Sequence, residues 1–215
     1  MINPQPLSPI HAVLEGLRPT WSIAGTNPKS VRQFDSRDAN RAAILGVADL
    51  SQQPRAGVKG SGAAGWLSQL GIQLPSEPNS WCELPSGGLI ARLGMTEYLV
   101  ENDELLVNTI MQTERTAGVY PVLRQDAVFA LCGSRVNELL LQTCNVDFRI
   151  LKTEPSQVVL TSMAGVGVTV LDTHTGNSPV YQIWCDGTYG IYLWETLIEI
   201  AQELGGGCIG LDALP

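Results

Sequence analysis

Three glycines, Gly60, Gly62 and Gly65, form a Gly-x-Gly-x-x-Gly run inside the stretch from Asp49 to Leu67. Between a strand and a helix, such a run can turn backbone N–H groups toward a pyrophosphate at the helix N-terminus. Glu83 lies about 20 residues on, the spacing of an acid that takes a ribose hydroxyl. Three features of the sequence oppose nucleotide binding. The matching segment later in the chain, Gly133-Ser-Arg-Val-Asn-Glu138, keeps only the first glycine. The segment after the helix, Leu74-Pro-Ser-Glu-Pro-Asn-Ser-Trp81, carries prolines where a buried parallel strand is apolar and β-branched. Only one βαβ unit can be drawn, and a dinucleotide fold needs several. The run is therefore read as a tight turn followed by small residues that allow close packing.

Other polar residues suit binding better than catalysis. Arg92, Tyr98 and Gln182 fall on strands expected to face a cleft between two halves of the chain, where they are ligand candidates; a structural role is the simpler reading, since a buried Tyr keeps its hydroxyl satisfied. His11 and His174 have no Ser, Cys or carboxylate pairing, so neither is expected to be catalytic. Asp49 and Ser51 suit turn chemistry. Arg135 opens a helix, where a cation is electrostatically misplaced, and so calls for an acidic partner.

Ser8-Pro9-Ile10-His11 is placed to start a helix with Ser8 as its cap, and a second is expected over Ser36–Leu45 with Ala42, Ala43 and Leu45 inward. From Leu45 the chain repeats at an offset of 73, with Gly60-Ser61 on Gly133-Ser134, Leu50 on Leu123, Val58 on Leu131, Leu67 on Leu140 and Gln69 on Gln142. In each copy a period-2 strand enters Gly-Ser and then a helix, whose apolar face is Ala63, Trp66, Leu67 and Leu70 or Val136, Leu139 and Leu140. Gly71 is positioned to end the first helix left-handed. A hairpin (Leu89–Leu93 with Glu97–Val100) and a helix (Leu105–Met111) complete the first copy; strands over Gln157–Met163, Val166–Leu171 and Val180–Cys185 and a helix around Trp194, Leu197, Ile198 and Ala201 complete the second. The expected fold is α+β, two related strand-helix-strand-strand-helix halves forming a pseudo-dimer. Its divisions are a lead-in (1–44), a first half (45–118) and a second half (119–215).

The 215 residues are 44% apolar and 16% charged, a globular composition, and a net charge of −8 excludes nucleic acid and anionic membrane as partners. No apolar run spans a membrane and no signal-peptide pattern opens the sequence. Five cysteines without a C-x-x-C pair read as reduced, mostly buried thiols of a cytoplasmic protein, with no metal site.

Several segments carry a family resemblance. Ala48-Asp49-Leu50-Ser51 followed by Gly60-Ser61-Gly62-Ala63-Ala64-Gly65-Trp66-Leu67 resembles the Asp-Leu-Ser…Gly-x-x-Ala-x-x-Phe/Trp-Leu pattern of the glycine-cleavage T-protein (aminomethyltransferase) superfamily, which includes the sarcosine oxidase γ subunit. Ser8-Pro9-Ile10-His11, Gly87-Gly88-Leu89-Ile90, Glu97-Tyr98-Leu99-Val100, Cys132-Gly133-Ser134-Arg135, Leu193-Trp194-Glu195 and Ile209-Gly210-Leu211 are similar to further segments of its folate-binding domain. The resemblance implies that fold and makes tetrahydrofolate the implied cofactor, with Arg92, Tyr98 and Gln182 as folate-cleft positions. The departures imply lost catalysis. Ile90 is followed directly by Ala91-Arg92-Leu93-Gly94, so the aspartate pair and several following residues are missing; the His-Met-Gly after Asp-Leu-Ser is replaced by Gln52-Gln53-Pro54, and the loop ending in a pterin-gripping Glu by Gly176 to Gln182. Without the aspartates there is no evident acid/base for methylene transfer. The resemblance therefore implies a non-catalytic accessory protein of one-carbon metabolism, partnered by a flavin-bearing amine oxidase subunit or by self-association. A free-standing tetrahydrofolate binder or aminomethyltransferase is the alternative.

Overall fold

The structure is a computed structural model that describes residues 7–24, 27–150, 156–173 and 179–215. The elements follow in order: α1 (His11–Gly16), β1 (Thr20–Ala24), β2 (Asn27–Gln33), α2 (Asp38–Leu45), β3 (Gly46–Asp49), β4 (Arg55–Lys59), α3 (Ala63–Gln69), β5 (Ser80–Glu83), β6 (Leu89–Arg92), β7 (Glu97–Glu101) and α4 (Glu104–Gln112). Then come β8 (Tyr120–Val122), β9 (Ala127–Cys132), α5 (Val136–Thr143), β10 (Val158–Met163), β11 (Val166–Asp172), β12 (Val180–Cys185), α6 (Gly190–Glu203) and β13 (Gly207–Cys208). The class is α+β. Two compact units divide the contacts: one from Met1–Gln52, Gln125–Leu151 and Leu160–Pro215, the other from Gln53–Arg124 and Lys152–Val159.

The offset of 73 carries β4 and α3 onto β9 and α5 almost residue for residue. The turns between them match too, with Gly60 at φ +118° and Gly133 at φ +109°. The first unit holds a sheet ordered β10-β11-β12-β9-β3-β13, the second β5-β6-β7-β4-β8. Aligning β9 with β4 brings β12 onto β7, β11 onto β6 and β10 onto β5. It also brings β3 onto β8, although β3 precedes β4 in the chain and β8 precedes β9. Each half therefore lends its first strand to the other half's sheet: β3 pairs with β9 (Val47 opposite Leu131) and β8 with β4 (Pro121 opposite Val58). Each half carries one strand beyond the strand-helix-strand-strand-helix outline: β10 falls on the expected Gln157–Met163 strand, whereas β5, at the end of the proline-rich segment after α3, is not among the expected strands.

In the first unit α6 covers one face of the sheet, and in the second α3 and α4 do so. In the first unit Phe129 of β9 meets Trp194 of α6 at 5.4 Å between ring centroids. Ala127, Phe129 and Leu131 thus face the helices, and Val128, Ala130 and Cys132 the opposite side, yet all six β9 residues are buried. Burial on both faces explains a near-continuous apolar run in an antiparallel strand. In the second unit Ala56, Val58, Ala63, Trp66, Leu67, Ile90, Tyr98, Val100 and Ile110 form the helix-side core.

Local chemistry sets the ends. Gly71, at φ +79°, closes α3 as expected, with its N–H on the Ser68 carbonyl and that of Ile72 on Leu67. Ser8 does not cap α1. It makes a turn just ahead, its Oγ accepting from the Ile10 N–H at 3.3 Å, because the Pro9-Ile10 turn delays the helix to His11. Within α2, Ala42 and Leu45 are buried, but Ala43 is exposed, lying a third of a turn off the inward stripe. The β1–β2 hairpin, in the region read as a lead-in without strands, is tied down by the buried Asp38. That carboxylate accepts from the Phe34 and Gly210 N–H groups at 2.8 and 2.9 Å and so fastens the hairpin's exit to the C-terminal segment.

Candidate functional site

The glycine turn ahead of α3 is filled by the chain itself. The Gly62 N–H donates to the Gly118 carbonyl at 3.1 Å. A Cβ on Gly60 would stand 2.1 Å from that same oxygen, and one on Gly62 2.8 Å from the Ala117 oxygen, while one on Gly65 would meet nothing within 4 Å. At the equivalent turn, Ser134 and Arg135 donate to the Ala43 and Ile44 carbonyls at 3.1 and 2.9 Å, and a Cβ on Gly133 would stand 2.6 Å from the Ile44 carbonyl. Both turns clasp the chain that leads into an exchanged strand. The N–H groups a phosphate would use are occupied by backbone, so the motif is structural.

The three ligand candidates sit in two surroundings. Arg92 ends β6 opposite Tyr98 on β7. Its guanidinium lies 5.8 Å from the Tyr98 ring centroid and donates to the Ser76 and Met95 carbonyls at 2.7 and 3.1 Å. The Tyr98 ring belongs to the helix-side core and is 2% exposed. Structure thus brings Arg92 and Tyr98 together at the margin of a hydrophobic core. Gln182 belongs to the first unit, on β12 between Leu171 and Ala130. It shares the face of that sheet opposite α6 with Ala48, Ala130 and Trp184 and is 6% exposed.

The other polar residues resolve locally. The Asp49 carboxylate accepts from the Ser51 N–H and hydroxyl at 3.0 and 2.5 Å, and Ser51 Oγ accepts from the Val128 N–H at 3.0 Å, which turns the chain as β3 ends. Arg135 has its acidic partner: it grips Glu138 through Nε at 2.8 Å and a terminal nitrogen at 2.5 Å, which holds the Glu138 carboxyl below the usual range, and it also donates to the Leu204 carbonyl at 2.9 Å. His11 stacks obliquely on Trp21 at 5.1 Å, and His174 lies outside the described residues. All five cysteines are free; Cys132 and Cys185 are buried and the other three half-buried. Burial pushes the Cys132 thiol up to about 11 and, with Asp126 and Asp186 adding to it, the Cys185 thiol to about 12, so neither is a nucleophile near neutral pH. Among the described residues no group of three metal-ligating side chains converges, and no helix is long and apolar enough to cross a membrane.

One charged pair escaped sequence reasoning. Arg55 and Glu101 stand opposite each other on β4 and β7, their side chains 5% and 0% exposed, with Nε 3.2 Å from Oε2. Strand alternation puts Glu101 on the face of Leu89, Leu99 and Ala91, opposite the helices. The available signal was a glutamate in phase with Leu99 in Glu97-Tyr-Leu-Val-Glu101; nothing local indicated Arg55. Ala91, which follows Ile90 directly, is fully buried. β6 therefore presents no carboxylate, and the buried carboxylate of the adjacent strand faces a guanidinium.

No protein-family model and no curated protein sequence matches the chain. Solved structures do. A glycine cleavage system aminomethyltransferase T from Bartonella henselae superposes with a TM-score of 0.72 at 12% identity, over 98% of this chain and 61% of its own. A chain of heterotetrameric sarcosine oxidase from Corynebacterium sp. U-96, in complex with pyrrole 2-carboxylate, superposes with a TM-score of 0.65 at 17% identity, over 93% of this chain and 96% of its own. This chain shares their fold. It spans about three fifths of the aminomethyltransferase chain and nearly the full length of the sarcosine oxidase chain.

Proposed function

We propose that this protein is a non-catalytic, aminomethyltransferase-like accessory protein of one-carbon metabolism, working beside a flavin-bearing amine oxidase chain as the sarcosine oxidase γ subunit does. The observation that carries the reading is β6: buried Ala91 and carbonyl-bound Arg92 follow Ile90 directly, and the strand bears no carboxylate there. A methylene transfer needs a group there to stabilise charge or move a proton, and an alanine methyl does neither. The likeness to a chain of a heterotetramer supports a life among partner subunits. Isolation of the tagged protein from its native cells tests the reading: a flavin-bearing chain should co-purify in fixed ratio, and recovery of this chain alone would refute it.

Tetrahydrofolate binding is the second reading, and Gln182 favours it. An amide is of the right chemical type for a pterin edge, which presents both donors and acceptors. Arg92 and Tyr98 suit the ligand less well, one held by backbone carbonyls and the other packed in the core. If folate binds, the melting temperature rises with its concentration and Gln182→Ala abolishes the rise while Tyr98→Phe keeps it; a melting temperature flat to millimolar tetrahydrofolate removes this reading. Cytoplasmic residence accords with free, buried thiols.

A further inference from the structure

The outer face of α6 combines exposed apolar side chains with uncompensated charge. Tyr189, Ile191 and Tyr192, within four residues at its start, are 54%, 44% and 53% exposed. The Tyr192 hydroxyl donates to the Ala164 carbonyl at 3.1 Å, which holds that ring in place over the β10–β11 turn. Ile191 then begins a row at every fourth residue, Ile191, Glu195, Glu199 and Glu203, all exposed. The 14-residue helix contains no lysine or arginine. None of the three glutamates makes a salt bridge or side-chain hydrogen bond among the described residues. Like charges at this spacing repel, and the last two also oppose the negative end of the helix dipole. Arg135, the cation at that end, is already shared between Glu138 and the Leu204 carbonyl.

The sign of the charge selects the occupant. Anionic lipid and nucleic acid are repelled, and a second copy docked through the same face would set glutamate row against glutamate row in a chain of net charge −8. A protein surface with an apolar centre rimmed by lysine or arginine satisfies both parts of the face: pre-oriented aromatics suit a desolvated centre and the glutamates a steering rim. We infer that this α6 face, Tyr189, Ile191 and Tyr192 with Glu195, Glu199 and Glu203, is the docking surface for a basic face of the partner chain. The assignment rests on the accessory-protein reading.

The probe is the flavin-bearing chain recovered with the tagged protein from native cells. Its affinity is measured against wild type, Glu195→Lys/Glu199→Lys, the milder Glu195→Gln/Glu199→Gln with Ile191→Ser, and Glu104→Lys on α4 as a control, each checked for folding by its melting temperature. Both α6 variants should weaken binding about tenfold or more, wild-type affinity should fall with salt, and the control should match wild type. Undiminished binding by folded α6 variants overturns the docking assignment and leaves the accessory reading intact. Salt-sensitive dimerisation of the isolated chain that the α6 variants abolish also overturns it, in favour of a second copy. If no flavin-bearing chain is recovered, both readings fall.

Discussion

At the scale of single residues, the chain places charge where the fold makes it costly and pairs it there. Arg55 and Glu101 are removed from water together. Separating such a pair leaves a buried charge alone, whereas replacing both members by apolar residues is often neutral. Glu101→Ala should therefore cost about 3–5 kcal/mol in urea denaturation, and Arg55→Met/Glu101→Leu should recover most of it. A double variant as unstable as the single one would show that the pair has a role beyond satisfying its own charges. Asp35 makes the contrasting case at the surface. Hydrogen bonds from Arg37, helped by Arg41, hold its carboxyl well below its ordinary 3.8. A depressed folded pKa contributes stability that is complete above the unfolded value and is lost as pH falls through the folded one. The difference in stability between wild type and Arg37→Ala should thus be small at neutral pH, being exposed and screened, and should vanish in strong acid. A gap that widens on acidification would contradict the sign.

At the scale of elements, the glycine run separates into parts that a nucleotide motif would keep together. Gly60→Ala and Gly133→Ala each set a methyl against a carbonyl at positive φ and should cost about 3 kcal/mol. Gly65 is a helix residue with open space around it, so Gly65→Ala should stabilise by about 0.5–1 kcal/mol. Equal damage at all three, read from melting temperatures, would revive a ligand role for the turn. The sequence showed most of this, because the copy at Gly133 keeps only the glycine that both turns need. Apolar periodicity likewise placed α3 and the β6–β7 hairpin within a residue or two, and found α5 and α6 but not their full extent, since α6 begins at Gly190, ahead of the Trp194 stripe. It missed β5, β8 and β13, of four, three and two residues, which are too short to show a period, and the β1–β2 hairpin, whose Asn27-Pro28 reads as loop. The candidate site was less legible still. That Arg92 and Tyr98 share a strand pair follows from the hairpin register, but which face of a sheet carries helices is a tertiary fact. That fact separates a ring in the helix-side core of one sheet from an amide on the face of the other sheet opposite α6.

At the scale of the whole molecule, the exchange of β3 and β8 decides how the chain can be divided. Periodicity reports what each half contains and cannot report where its first strand goes. Within 119–215, β9 lacks β3, and the Ser134 and Arg135 N–H groups lose the Ala43 and Ile44 carbonyls. A fragment ending at 118 lacks β8, which leaves β4 with one open edge in a sheet of four strands. Each fragment presents an unpaired apolar strand edge, the usual route to aggregation. Fragments 1–118 and 119–215 produced separately should therefore be insoluble or molten, whereas their co-expression should return a soluble complex, each supplying the strand the other lacks. A stable 119–215 fragment with native circular dichroism would show that β9 does not need the strand it receives from the first half.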